Sequence, residues 1–205
     1  MYRRFVKRTL DIIFSALFLI VLSPLFLLVM LLIHLDSRGG SFFKQERIGL
    51  NEQIFTIYKF RSMTENSEHT GSGVYSNDHD VRVTRIGRIL RKYSLDELPQ
   101  FYNILKGDMS FIGPRPPLTY HPWPIAEYTR GQRKMFTVRP GITGWAQVNG
   151  RRSIDWNERI RLNNWYIDNL TFGLDCKIVW LTVKAILSNE NNANSGITAP
   201  PSPQD

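Results

Sequence analysis

Two adjacent carboxylates, Asp96 and Glu97, are the residues best suited to chemistry in this chain of 205 residues. They stand in the stretch YSLDELPQFYNILKGDMSFIGPRPP, residues 93–117, of a protein whose net charge is +8. A carboxylate beside cations stays ionised. It can then act as a nucleophile toward phosphorus or as a ligand for Mg²⁺, and two adjacent acids allow both roles at once.

A second interpretation of the same stretch is purely structural. Ser94 followed by Glu97 fits a capping box, with Ser94 as the N-cap and both acids in the first helical turn. Pro99 also suits a helix start, because the first amides of a helix have no intrahelical partner to lose. A helix N-terminus favours negative charge. This interpretation explains one acid and does not require two, so the residues alone leave both interpretations open.

Basic side chains elsewhere in the chain could neutralise a diphosphate. The candidates are Lys59, Arg61, Arg88 and Arg115. Lys59 and Arg61 are two residues apart in a predicted strand, roughly 6.6 Å along one face, which is a suitable span for a phosphate group. A solvated strand face explains the same spacing equally well. Arg115 stands between two prolines, which limit its backbone freedom and orient its planar guanidinium in advance.

The composition bounds the class of function. A net charge of +8 favours anionic partners such as acidic lipid headgroups, phosphorylated substrates or nucleic acid. The single cysteine, Cys176, excludes an internal disulfide framework, and the four histidines lack zinc-ligand spacing. The sequence contains neither a P-loop nor a convincing G-x-G-x-x-G motif, which argues against ATPase and Rossmann chemistry. It also has no recognised nucleic-acid reader motif, so we expect no nucleic-acid partner.

Residues 12–33 form an apolar run of 22 residues without a charge, long enough to cross a bilayer as one helix. The run is too long for a typical signal peptide, and no small-residue cleavage site follows it. Ser23 and Pro24 stand at its centre, where proline bends a helix and serine can satisfy a freed carbonyl. Basic residues flank both ends of the run, and such residues favour the cytoplasmic side. The sequence therefore allows either a spanning anchor or a re-entrant hairpin.

The rest of the chain predicts a mainly helical α+β fold. Residues 41–49 and 53–63 read as a β-hairpin. Residues 84–93 read as a helix with opposed faces, an apolar one of Ile86, Ile89, Leu90 and Tyr93 and a basic one of Arg85, Arg88, Arg91 and Lys92. Two further helices are predicted near the C-terminus, and residues 64–80 are expected to form a loop. The predicted units are a membrane segment over 1–38, a compact domain with amphipathic interfacial helices over 39–187, and a disordered tail over 188–205.

Three motifs together resemble one known family. They are SLDELPQFYNILKGDMSFIGPRP, IYKFRSM and VRPGITGWAQVNGR. In these motifs the chain resembles the small monotopic phosphoglycosyl transferases, bacterial sugar transferases that begin glycan assembly on a polyprenyl phosphate. The resemblance runs from about Arg3 to Leu187. It implies a minimal catalytic form at the cytosolic face of the bacterial inner membrane, with a re-entrant helix broken at Ser23 and Pro24.

The resemblance also implies a mechanism. A UDP-sugar would bind with Mg²⁺, and Asp96 would attack the sugar-bearing phosphate and expel UMP. Undecaprenyl phosphate would then take the phosphosugar from Asp96, in ping-pong order. Glu97 would be a catalytic partner and a Mg²⁺ ligand. The substrate-binding residues implied by matching motif positions are Lys59, Arg61, Arg88, Arg115, Arg139, Thr143 and Gln147. An N-acetylated amino sugar is the expected cargo, and downstream glycosyltransferases are possible partners.

The chain departs from the family pattern at Asn163, where members often carry aspartate. Asp155 or Asp168 could substitute for it. Two rival functions remain at this stage. One is a non-catalytic membrane-anchored protein that binds anionic lipid through its basic faces. The other is a phosphotransferase that works through a ternary complex without a covalent intermediate.

Overall fold

The computed structural model describes residues 2–65, 67, 80–150 and 154–187. The predicted tail and most of the predicted loop over 64–80 lie outside these residues. The fold is mainly helical with small sheets, in agreement with the predicted α+β class. The elements are α1 (Lys7–Val21), α2 (Ser23–Asp36), β1 (Phe42–Ile48), β2 (Ile54–Phe60), α3 (Arg85–Lys92), α4 (Gln100–Lys106), β3 (Ser110–Ile112), α5 (Arg130–Arg133), β4 (Gly141–Thr143), α6 (Trp145–Asn149), α7 (Trp156–Asp168) and α8 (Phe172–Leu187).

The apolar N-terminal run is broken at the predicted place. Helices α1 and α2 meet at Leu22 and are bent by 60°. Pro24 lies in the first turn of α2, and the Ser23 hydroxyl donates a hydrogen bond of 2.8 Å to the carbonyl of Ile20. Within the described residues no single helix has the length and apolarity to cross a membrane, whereas the bent pair taken together does.

Polar side chains of α1 attach it to the α4–β3 segment. The Arg8 guanidinium donates to the carbonyls of Ile104 at 2.6 Å and Leu105 at 3.0 Å, at the end of α4. Asp11 is buried and accepts hydrogen bonds of 3.1 Å from the Ser110 hydroxyl and the Phe111 amide. These contacts satisfy groups that would be costly to bury unpaired, so they fix α1 on the rest of the fold.

The predicted β-hairpin is confirmed. Strands β1 and β2 pair antiparallel from Phe42 opposite Phe60 to Ile48 opposite Ile54. Asn103 of α4 is fully buried against β2, where its side-chain oxygen accepts from the Tyr58 amide at 3.0 Å and its nitrogen donates to the Thr56 carbonyl at 2.7 Å. The Asn103 amide thus takes the place of a neighbouring strand and holds α4 beside β2.

The second sheet is parallel and holds the Pro-Arg-Pro segment. Ser110 of β3 pairs with Gly141 of β4, and the Gly141 amide donates to the carbonyl of Pro114 at 2.9 Å. A Cβ atom at Gly141 would lie 2.1 Å from the Gly113 nitrogen, so the close approach of the two backbones requires glycine at 141. The loop that carries Arg115 is therefore fixed by main-chain contacts at its base.

The predicted faces of α3 are only partly correct. Leu90 is buried and Ile86 partly buried, but Ile89 is 53% exposed. Arg91, predicted on the basic face, turns inward, and its Nε donates to the Ser62 hydroxyl at 3.0 Å. The reason is Gly87, where an added Cβ atom would lie 1.9 Å from the Ser62 carbonyl oxygen. This close approach centres the buried face of α3 on Gly87 and Leu90.

The predicted C-terminal helices are confirmed as α7 and α8. Helix α8 is anchored by Ile178, which is fully buried, and by Asp175, whose carboxylate lies 2.6 Å from the Lys7 ammonium nitrogen and accepts from the Tyr166 hydroxyl at 2.7 Å. Its other face leaves large apolar side chains exposed. They are Phe172, Val179, Trp180, Val183, Ile186 and Leu187.

We predict that Asn103→Leu lowers the melting temperature of the purified protein in detergent. The change leaves the Tyr58 amide and the Thr56 carbonyl without a hydrogen-bond partner. Each buried group left unpaired lowers the free energy of unfolding by about 1–3 kcal/mol. Asn169→Leu is the matched control, because that exposed amide bonds only the carbonyl of Trp165. An Asn103→Leu variant that melts with the wild type would contradict the role given to this amide.

Candidate active site

The two acids lie on a tight turn that precedes α4. Ser94 has a φ of 56°, in the left-handed region, and its side chain caps nothing in the described residues. Leu95–Glu97 then form one turn of 3₁₀ helix, and α4 begins only at Gln100. Ser94 is the N-cap of this short helix and both acids lie in its first turn, as predicted, but the predicted capping box is wrong because the Ser94 side chain makes no capping hydrogen bond among the described residues. The structural explanation for the pair of acids is correspondingly weaker.

Glu97 is the centre of a charged cluster. Its Oε1 atom lies 2.7 Å from the Lys59 ammonium nitrogen and 3.7 Å from a guanidinium nitrogen of Arg115. The Lys59 and Glu97 side chains are 14% and 20% exposed, so water screens this ion pair only in part. The structure thus brings together three predicted site residues. They come from β2, from the turn that carries Asp96 and Glu97 (the dyad), and from the Pro-Arg-Pro segment.

The neighbouring Asp96 is electrostatically different. Among the described residues its carboxylate forms no ion pair within 4.0 Å. Burial raises the pKa of Asp96 to about 6, against the opposing charge of Lys59 and with the help of the negative charge of Glu97. Arg91 also faces this carboxylate and acts to lower its pKa.

Burial by itself would also raise the pKa of Glu97. The charges of Lys59 and Arg115 outweigh that effect, and the pKa falls to about 2. Arg47 contributes in the same direction. The two adjacent carboxyls therefore titrate far apart. Such a separation is typical of a pair whose members have different tasks.

The cluster lines a cleft whose walls are mostly formed by β1, β2, the start of α4 and the Pro-Arg-Pro segment. Its lining residues are Arg47, Ile57, Lys59, Glu97, Gln100, Arg115, Pro116 and Gly141. Three of these side chains are cationic, so the cleft is suited to bind an anionic group such as the phosphate portion of a larger substrate.

Arg47 and Gln100 line the cleft but are absent from the predicted site. Arg47 is opposite Phe55 in the hairpin, so it shares a face with Ile57 and Lys59. Its guanidinium donates to the Pro116 carbonyl at 3.0 Å and so supports the Pro-Arg-Pro segment. Extending the alternation from β2 across to β1 would have identified Arg47. No sequence pattern indicated Gln100 as a site residue, apart from its position directly after Pro99.

Arg61 and Arg139 do not line the cleft. Arg61 is buried, and its guanidinium donates to the carbonyls of Ser37, at 2.8 Å, and Arg38, at the end of α2. Strand β2 ends at Phe60, so the alternation that placed Arg61 beside Lys59 does not extend that far. Arg139 donates from Nε to the Gly107 carbonyl at 2.8 Å, where α4 ends. Both arginines thus bind helix ends, and their predicted substrate roles remain predictions.

The other predicted substrate-binding residues are also outside the lining. Arg88 is exposed on α3, and the Thr143 hydroxyl lies 2.7 Å from that of Thr182 in α8. Both polar atoms of the Gln147 side chain are buried without a hydrogen-bond partner in the described residues. Gln147 lies beside Gly144, whose backbone approaches that of Gly113. A substrate role for these three side chains remains a prediction.

Asn163 is buried in α7, with its side-chain nitrogen unpartnered in the described part of the chain. Asp155 caps α7 by accepting from the Glu158 amide at 2.8 Å, and Asp168 pairs with Lys134 at 2.5 Å on the surface. Neither aspartate lines the cleft. Each therefore has a structural task of its own, and nothing in the fold favours either as a substitute for an acid at 163.

The carboxylates of Asp96 and Glu97 are better suited to Mg²⁺ than to a metal ion whose ligands all come from the protein. In the described residues no three His, Cys, Asp or Glu side chains cluster to form a metal site. Magnesium is commonly bound by one or two carboxylates, with substrate phosphates and water completing the shell. A cation beside Asp96 and Glu97 would relieve the like-charge interaction that helps to raise the pKa of Asp96.

We predict that Asp96→Asn and Glu97→Gln shift the melting temperature at about pH 7.5 in opposite directions. Folding raises the pKa of Asp96, so the wild type loses free energy of unfolding as the pH rises from the unfolded pKa of this group through about 6. Asparagine does not ionise, so Asp96→Asn avoids this loss. Because folding lowers the pKa of Glu97, its contribution is present above its unfolded pKa and is lost only toward about pH 2. Gln removes that contribution and leaves Lys59 unpaired. Each substitution is expected to change the free energy of unfolding by about 1–3 kcal/mol.

The measurement is the melting temperature of the wild type and both variants between about pH 4 and pH 8, with a chelator present. The advantage of Asp96→Asn over the wild type should grow with pH across this range. Asp168→Asn is the control, because its exposed ion pair is expected to contribute little. Shifts of the same sign at neutral pH would contradict the different environments assigned to the two acids.

Comparison with known proteins identifies relatives along nearly the whole chain. Residues 2–189 match the family described as bacterial sugar transferase. The chain is 43% identical over 184 residues to the sugar transferase EpsL of Bacillus subtilis (strain 168), covering 90% of this chain and 88% of that protein.

Two further relatives have printed names that state a reaction. One is the UDP-N-acetylgalactosamine-undecaprenyl-phosphate N-acetylgalactosaminephosphotransferase of Aeromonas hydrophila, 43% identical over 187 residues, with 90% of this chain and 44% of that protein covered. The other is the UDP-glucose:undecaprenyl-phosphate glucose-1-phosphate transferase of Klebsiella pneumoniae, 40% identical over 182 residues, with 86% and 39% covered. The chain spans less than half the length of these two proteins.

Proposed function

The chain belongs to the bacterial sugar transferase family, and from this we propose that it transfers a sugar 1-phosphate from a UDP-sugar to undecaprenyl phosphate. The relatives named for undecaprenyl phosphate support the two substrates. The observation that carries the proposal is the cluster of Lys59, Glu97 and Arg115 beside an acid, Asp96, that has no ion pair among the described residues. This arrangement provides cations for a phosphate and a carboxylate that remains available for reaction.

In the first half-reaction, a carboxylate oxygen of Asp96 attacks the phosphorus that carries the sugar. A bond forms between that oxygen and phosphorus as the bond from phosphorus to the oxygen of UMP breaks, and the electron pair leaves with UMP. The product is an aspartyl phosphosugar. The pKa of about 6 keeps Asp96 mostly ionised at neutral pH and more basic than an ordinary aspartate.

In the second half-reaction, a phosphate oxygen of undecaprenyl phosphate attacks the same phosphorus. The bond to Asp96 breaks, the carboxylate is restored, and undecaprenyl diphosphate sugar is released. Two bulky anionic substrates then need not occupy the cleft together.

The surrounding side chains would bind and orient the phosphoryl group. Arg115 and Lys59 would bind its oxygens, and Glu97 would hold Lys59 in position through their ion pair of 2.7 Å. Glu97 would also be the protein ligand of Mg²⁺, which would neutralise charge on the diphosphate and on the leaving UMP. Arg47 would keep Arg115 in place through its hydrogen bond to the Pro116 carbonyl.

We further propose that α1 and α2 form a re-entrant hairpin in one leaflet, at the cytosolic face of the bacterial inner membrane. Both ends of the pair are attached to the same globular part of the protein. Arg8 of α1 bonds the end of α4, whereas Asp36 of α2 accepts from the Ile86 amide at 3.0 Å and Arg61 bonds the carbonyl of Ser37. A spanning segment would place its two ends on opposite sides of the bilayer.

The exposed apolar face of α8 would lie in the interfacial region of the same leaflet. An N-acetylated amino sugar is the proposed cargo, in keeping with the Aeromonas hydrophila relative, and the Klebsiella pneumoniae relative makes glucose the principal alternative. A non-catalytic lipid-binding protein would not need the charged cluster around Glu97, and it would release no UMP.

We predict that Asp96→Asn abolishes UMP release from UDP-sugars in the presence of undecaprenyl phosphate, with a loss of at least about a thousandfold. An amide cannot form the acyl phosphate that links Asp96 to the phosphosugar, and intact-mass spectrometry should detect a phosphosugar adduct on the wild type only. Asp168→Asn, an identical change at an exposed ion pair, should retain activity. Near-normal turnover by Asp96→Asn would exclude the covalent mechanism.

We predict that tags at the two termini of the wild-type protein are on the same side of the membrane. In spheroplasts, both tags should resist an external protease and become sensitive once the membrane is permeabilised. A periplasmic reporter serves as the control for protease access. Sensitivity of one tag alone in intact spheroplasts would show a spanning segment and exclude the hairpin.

A further inference from the structure

Helix α4 carries two buried amide side chains with opposite hydrogen-bonding status. Asn103 is fully bonded, to β2 and to Asp108. Gln100, one turn earlier, is only 2% exposed, and its side-chain nitrogen has no hydrogen-bond partner among the described residues. A buried donor left unpaired is destabilising, so such groups are few in folded proteins and each requires an explanation.

The position of Gln100 provides that explanation. It lines the same cleft as Lys59, Glu97 and Arg115, and it is the first residue of α4, three positions after the dyad. We propose that Gln100 is a further substrate-contacting residue whose side-chain N–H donates a hydrogen bond to a non-bridging oxygen of the phosphoryl group being transferred. This inference rests on the proposed function.

The lining of the cleft favours a phosphoryl oxygen as the acceptor. The charged side chains of the lining are the cations Arg47, Lys59 and Arg115, with Glu97 as the single carboxylate, and Glu97 is already bound to Lys59. An anion with several acceptor oxygens matches these donors better than a sugar hydroxyl or a uracil edge does.

A neutral donor has a specific advantage at this position. In the transition state of this transfer, negative charge lies mainly on the two non-bridging oxygens of the sugar-bearing phosphate, which are equatorial to the entering and leaving oxygens. Arg47, Lys59 and Arg115 already bring three positive charges to the cleft, and a fourth cation at 100 would be repelled by them. An amide supplies the additional donor without adding charge, and it remains a donor at every pH at which the protein is folded.

The first test is Gln100→Met, which preserves length and removes the donor. Because the side-chain nitrogen of Gln100 has no hydrogen-bond partner among the described residues, its removal should leave the melting temperature unchanged or raise it by about 2–4 °C. The turnover number for UMP release should fall about 10- to 100-fold, as for loss of one transition-state donor. Gln53→Met, the same change at an exposed glutamine of the hairpin turn, should alter neither quantity.

A substrate contact predicts slower turnover with an unchanged or higher melting temperature. A structural role predicts that the turnover number and the melting temperature both fall. Gln100→Glu provides a second variant. Its carboxylate would face the phosphate, so its turnover should fall below that of Gln100→Met. A lower melting temperature for Gln100→Met, or turnover within twofold of the wild type, would overturn the inference.

The second test locates the acceptor atom with a UDP-sugar that carries sulfur at a non-bridging position of the sugar-bearing phosphate. One diastereomer should slow the wild type, and the slowing should be smaller in Gln100→Met, because the two changes remove the same hydrogen bond. Independent, multiplicative effects with both diastereomers would exclude this oxygen as the partner. Failure of the proposed function gives a different result, namely a wild type that releases no UMP or an Asp96→Asn variant that still does.

Discussion

The ion pair between Lys59 and Glu97 is the interaction on which the site depends. It joins the second strand of the hairpin to the turn that carries both acids, over 2.7 Å and with little exposure to water. The pair fixes Glu97 as a permanent anion and leaves Asp96 as the acid with the raised pKa. The different pKa values of these two neighbouring acids thus follow from which of them contacts Lys59.

A set of polar anchors supports this pair from outside. Asn103 holds α4 on β2, Arg8 and Arg139 bind the carbonyls near the end of α4, and the β3–β4 contact fixes the loop that carries Arg115. Asn103, Arg8 and Arg139 each join a side chain to main-chain groups that would otherwise be unpaired, whereas the β3–β4 contact joins two main chains. Such contacts are more directional than apolar packing, so they specify where each element lies. The positions of the charged groups follow from this framework.

The sequence predicted the elements better than it predicted the contacts. The hairpin, the break at Ser23 and Pro24, and the association of Lys59, Glu97 and Arg115 all follow from local patterns, namely alternation, proline and motif. The wrong or incomplete predictions have a common physical origin in tertiary contacts between distant residues. Gly87 lets α3 approach Ser62 and rotates its buried face. Ser94 adopts a left-handed backbone conformation, and its side chain makes no capping bond in the described part of the chain. A single arginine at 61 or 139 carries no local sign that it will bind a helix end.

The attachment of α1 to the far end of α4 would determine how the proposed membrane hairpin positions the two acids. Helix α4 has seven residues, so its two ends are about 10 Å apart, with the turn of Asp96 and Glu97 preceding one end and Arg8 of α1 bound at the other. In the proposed arrangement, this short helix would set the height of both carboxylates above the hydrocarbon. The headgroup of a polyprenyl phosphate would lie at that same level whatever the length of its chain, so the number of isoprene units would not need to be measured for the phosphate to be reached.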